Sequence, residues 1–156
     1  MKFAISLALS AVIATTATIA TAGGHTGNPA VKARKAHMQL YQHNLGILGG
    51  MAKGEVEYNA DTATAAANNL ATLSSMSQVG YWTPGTSRDD LGEETRALAA
   101  IWSADSTAGA IGGQMAAAAT ALAAVAGNGQ AAIGPALGPV GAACGACHKA
   151  YRFSAN

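Results

Sequence analysis

The chain's only two cysteines stand three residues apart, and a histidine follows the second: Cys144-Gly145-Ala146-Cys147-His148. On a helix, positions i, i+3 and i+4 are neighbours, so Cys144, Cys147 and His148 share one face. Three chemically active groups on one helix face call for a fold that can carry a large flat partner against that face.

A porphyrin edge fits this geometry. Two sulfurs can form thioethers to its two vinyl groups while the imidazole comes under the iron as proximal ligand, which is the c-type haem attachment signature. From average residue usage, such a pattern arises by chance in a chain of this length about once in a thousand. A local disulfide is the plainer alternative, since an exported protein meets oxidising conditions. A thioredoxin-like redox pair normally sits beside a βαβ unit, and no such unit is read here. Zinc would need two more well-placed ligands, and the remaining histidines form no second paired motif.

Export is read from the first 22 residues. Lys2 gives a short positive start, Phe3 through Ile19 an apolar run, and Ala20-Thr21-Ala22 a small-x-small cleavage pattern, so cleavage is expected before Gly23. No charged stop-transfer flank follows, and the Ala-rich stretch near 108–126 is interrupted by glycines and Gln114, so no stable membrane anchor is expected. The mature chain has 134 residues (156 minus 22), enough for one core, with eight Lys and Arg balancing eight Asp and Glu once Lys2 is gone. Without a basic patch interleaved with aromatics, nucleic acid is not an expected partner.

Four helical stretches are predicted. The first runs from about Pro29 to Lys53, with Gly54 as its stop and Val31, Met38, Tyr41, Leu45 and Leu48 on an apolar face. The second is capped by Asn59 or Asp61 and ends near Met76. A turn-rich loop, Gly80 through Ser87, crosses an end of the bundle. The third is expected from Glu93 or Thr95 to Val125, with Leu98, Ile101, Trp102, Ile111, Met115 and Leu122 toward the core, and the fourth from Gln130 to about Arg152. Pro135 and Pro139 are expected to bend the fourth helix or to break it before a short final helix from about Val140. With no β-alternating segment, the fold class is all-α, an antiparallel four-helix bundle with haem near the end of the fourth helix.

A motif in the last helix of such a bundle resembles the class II c-type cytochromes, the cytochrome c′ family. The matching stretches are Arg34-Lys35-Ala36-His37-Met38, Ala52-Lys53-Gly54-Glu55 with Tyr58-Asn59, Pro84-Gly85-Thr86, Ala99 through Trp102, and Val140 through Arg152. The resemblance implies one covalently bound haem c on Cys144 and Cys147, with His148 as an iron ligand. It places Met38 where a low-spin branch of the family supplies a sixth ligand, as a soft thioether can. The chemistry alone leaves Met38 open as an ordinary core residue. His37 and His43 lie on other faces of the first helix and are expected to be solvated. Arg34, one turn before Met38, is a candidate partner for a haem propionate or else a solvated surface arginine. Thr95 stands where family members make haem contacts.

The function expected on this reading is one-electron transfer in the periplasm, by an electron-transfer haemoprotein and not an enzyme, with periplasmic redox partners and a possible homodimer. The alternative is gas binding, of nitric oxide or carbon monoxide, at an open five-coordinate haem.

Overall fold

The computed structural model describes residues 27–154. The export signal read at residues 1–22 lies outside that range. Five α-helices follow one another: α1 (Pro29–Lys53), α2 (Ala60–Ser75), the single turn α3 (Arg88–Leu91), α4 (Ala108–Val125) and α5 (Gln130–Tyr151). The long four pack in a ring in which α1 touches α2, α2 touches α4, α4 touches α5 and α5 closes on α1.

Local chemistry sets the ends of these helices. The Asn28 side chain accepts hydrogen bonds from the Ala30 and Val31 amides, and Pro29 occupies the first turn, where a missing N–H costs nothing. Gly54 ends α1 in the left-handed region at φ 74°, a conformation only glycine adopts freely. Asn59 caps α2 by accepting from Thr62 N at 2.9 Å.

Burial follows a seam of alternating three- and four-residue steps. On α1 the buried seam runs Val31, Arg34, His37, Tyr41, Asn44, Leu48 and Met51, with Ala30 buried beside its start. The seam of α5 runs Ile133, Leu137, Val140, Cys144, Cys147 and Tyr151, buried or half-buried throughout. Cys144 and Cys147 therefore continue the inward-facing row of their helix. Leu48, Leu70, Leu122 and Ile133 are fully enclosed at the centre. By length and mean hydropathy alone, α4 could cross a membrane, yet it packs against α2 and α5 and lends Met115, Ala119 and Leu122 to the core.

The third long helix begins at Ala108, not at Glu93 or Thr95. Residues 95–98 are drawn out of helical geometry because their backbone is bonded elsewhere. Ala97 pairs with Arg152 in an antiparallel bridge, Leu98 N donates to Tyr151 O at 2.9 Å, and Arg96 O accepts from Phe153 N at 2.8 Å. Leu98, Ile101 and Trp102 are consequently half-buried parts of a crossing segment with two short 3-10 turns, outside the buried core.

Helix α5 passes through both prolines without a break. Pro135 would have bonded Ala131 O and Pro139 would have bonded Pro135 O, and all three of these residues are exposed. Water can satisfy the freed carbonyls, so the cost of each proline is met outside the core.

Candidate haem site

Cys144 and Cys147 are free thiols, half-buried on the inner row of α5. Burial pushes the pKa of both thiols up, and the neighbouring Cys144 pushes that of Cys147 up further. Cys144 Sγ lies 3.9 Å from Met115 Sδ of α4. Tyr41 of α1 is the third wall. Its phenol is pushed up to about 12 by burial and by the nearby Cys144 thiol. Neither Met115 nor Tyr41 was singled out as part of the site, because both read as ordinary apolar-face residues.

His148 follows the inner row by one step and lies exposed on the flank of α5. Desolvation, with the charge of Arg152 as a second cause, holds its imidazole below the usual histidine range. A neutral imidazole keeps the lone pair that an iron ligand needs. Two protonated thiols and a neutral imidazole on one helix face are the donor set that a covalently attached haem requires, so the residues present fit that group.

Met38 lies on an exposed flank of α1. It shares an edge with Leu45 and Ala52 at seven-residue spacing, and Ala52 lines a cleft with Gln130, Ala131, Gly134 and Pro135 of α5. From Ala52 back to Met38 is fourteen residues, and from Gly134 forward to His148 is fourteen. Because the helices are antiparallel, these spacings put Met38 and His148 toward the same end of the α1–α5 pair. Met38 is 38% exposed, so the apolar face expected of it is not packed into the core.

His37 is not the solvated histidine expected. It is 4% exposed on the α2 side of α1, with Tyr41 and Tyr81 rings edge-on at 4.8 and 5.9 Å, and its Nε2 has no hydrogen-bond partner. His43 is exposed, as expected.

Arg34 is not a solvated surface residue either. It is buried under the crossing segment, where Nη1 donates to Tyr81 O (3.0 Å) and Thr86 Oγ1 (2.7 Å), and Nη2 to Thr86 O (2.9 Å) and Thr95 Oγ1 (3.2 Å). The Trp82 and Trp102 rings lie 5.0 and 5.8 Å from its guanidinium carbon. Thr95 is buried with it. The sequence showed these residues as a loose set of turn formers, and only the fold reveals that they converge on one cation.

Known proteins place this arrangement. The sequence model described as Cytochrome C′ matches residues 29–152. The cytochrome c′ of Cereibacter sphaeroides is 40% identical over 122 residues, covering 78% of this chain and 81% of that protein. Among solved structures, cytochrome c′ from Rhodobacter spheroides overlays with a TM-score of 0.77 at 39% identity, covering 81% of this chain and 96% of that one. A nitric oxide complex of a single-residue variant of cytochrome c′ from Alcaligenes xylosoxidans overlays at 0.67 with 30% identity, covering 80% and 94%. Members of this family are haemoproteins of binding or electron transfer, not enzymes. By its fold and its sequence match over nearly the whole described chain, this chain belongs to the cytochrome c′ family and carries one covalently bound haem c.

Proposed function

We propose that this chain is a periplasmic haem c protein whose open distal side binds a diatomic gas such as nitric oxide. The observation that carries this reading is the match to cytochrome c′ chains, one of them solved with nitric oxide bound. The geometry agrees with it. Toward the haem end of α1, Met38 is 38% exposed and is not a packed core side chain. When bound, the haem supplies a single iron that can take up a gas or exchange one electron. The chain's own part is distinct. Cys144 and Cys147 anchor the macrocycle, His148 offers its lone pair from below, and Tyr41 and Met115 exclude water from the attachment edge.

One observation favours a second reading. Met38 and His148 lie toward the same end of the antiparallel α1–α5 pair, which would suit Met38 as a sixth ligand, giving low-spin iron and a one-electron carrier for periplasmic redox partners. A homodimer through α1 and α2 fits either reading, since an open groove there is lined by Leu40, Asn44, Asn69, Thr72 and Leu73, and Leu40 is 51% exposed.

Optical spectra of the oxidised and reduced holoprotein separate the two. Open-site binding requires a high-spin oxidised spectrum. A six-coordinate, low-spin spectrum in both oxidation states would replace it with Met38 ligation.

A further inference from the structure

We propose that the crossing segment is a strut between α1 and α5, and that Arg34 and Thr95 are the positioning residues that set the separation of Met38 from His148. The inference rests on haem attachment at His148. It adds a cause for whichever coordination the iron adopts.

The strut can be followed bond by bond. At its α1 end, Arg34 stands one turn before Met38 and donates to three residues of the crossing segment, Tyr81, Thr86 and Thr95. Thr95 Oγ1 accepts from Arg34 Nη2 and also from Ala97 N at 3.1 Å, which locks the extended backbone that follows. At the α5 end, residues 96–98 are paired with 151–153 through the Leu98 N to Tyr151 O and Phe153 N to Arg96 O bonds. Tyr151 is three residues after His148. A second tie runs beside the first. Arg88 N donates to Ala97 O at 2.7 Å, and the Arg88 guanidinium lies 3.9 Å over the Phe153 ring. The start of α4 is held by the same residue, as Tyr151 Oη accepts from Thr107 N at 2.7 Å.

Arg34 is suited to this task and costly otherwise. Among the described residues the one ion pair is Lys53 with Glu55, so the protein groups that meet the buried Arg34 charge are carbonyls, hydroxyls and two indole faces. Burying a cation so is tolerated only when its donors are satisfied. Its four hydrogen bonds therefore fix the crossing segment to α1 tightly, and hydrogen bonds from a charged donor are the stronger kind. With both ends fixed, the length of residues 95–98 constrains the α1–α5 separation at the haem end alongside the direct packing of the two helices.

The test compares Thr95→Val, which keeps shape and burial but removes the shared acceptor, with Thr95→Ser, which restores it, and with Arg34→Gln. Each is made as full holoprotein. Two readouts are taken: the high-spin to low-spin ratio in the optical spectrum, and amide exchange at Leu98 and Phe153. The expected result is a change of about tenfold in the spin ratio for Thr95→Val and Arg34→Gln, faster exchange at both amides, and parental behaviour in Thr95→Ser. Parental spectra in Thr95→Val and Arg34→Gln, with haem attached and exchange accelerated, would overturn the proposal. So would unchanged exchange. The parent's own spectrum decides between gas binding and Met38 ligation, while the difference between parent and variants decides on the strut, so the two ideas fail separately.

Discussion

Cys144 Sγ and Met115 Sδ lie 3.9 Å apart, so the Cys144 sulfur is seated against α4 by a side chain that adapts its shape easily. Met115→Ala opens a hole at that seat and is expected to cost about 2–5 kcal/mol. Met115→Leu conserves volume and is expected to cost under about 1.5 kcal/mol. Urea unfolding of the holoprotein checks the pair. Equal losses in both variants would show that Met115 packing is not what matters there.

At the opposite end of the bundle, Tyr58 joins the turn after α1 to the turn before α5. Its hydroxyl donates to Ala126 O and accepts from Gly129 N, both at 3.0 Å. Tyr58→Phe leaves both groups short of a partner and is expected to lower stability by about 1–3 kcal/mol. The haem spectrum should not change, because the site lies at the other end. A thermal melt and an optical spectrum on the same sample test both halves of the statement.

Tyr41 predicts the alkaline limb of stability. Its phenol, ordinarily near 10.0, is pushed up to about 12 by burial first and by Cys144 second. In the thioether Cys144 carries no charge, so burial remains as the cause. The folded state then keeps a proton that the unfolded chain loses, and this contribution is fully present below pH 10 and is lost as pH rises toward 12. Stability of the parent should therefore fall across that window, and Tyr41→Phe should flatten the slope. A parent and variant with the same slope would contradict the assignment.

Much of this was legible in the sequence because local rules and tertiary packing agree. Pro29, Gly54 and Asn59 mark helix ends by backbone chemistry that needs no neighbour, and the α1 and α5 seams are written as heptad steps. The expected third helix went wrong at residues 95–107 because nothing local forbids a helix there. Long-range pairing of 96–98 with 151–153 overrides propensity, and sequence spacing does not encode it. The same holds for the site. Cys144, Cys147 and His148 announce themselves by spacing, whereas His37, Tyr41 and Arg34 acquire their surroundings only when α2 and the crossing segment fold over α1.

The most direct test is the rate at which the reduced holoprotein takes up nitric oxide, followed by rapid mixing through the change in its haem absorption. An open distal side predicts uptake that rises in proportion to nitric oxide concentration, with no slow step before it. Uptake that levels off at a fixed rate set by a departing ligand, and that becomes proportional to concentration in Met38→Ala, would contradict the account and assign Met38 to the iron.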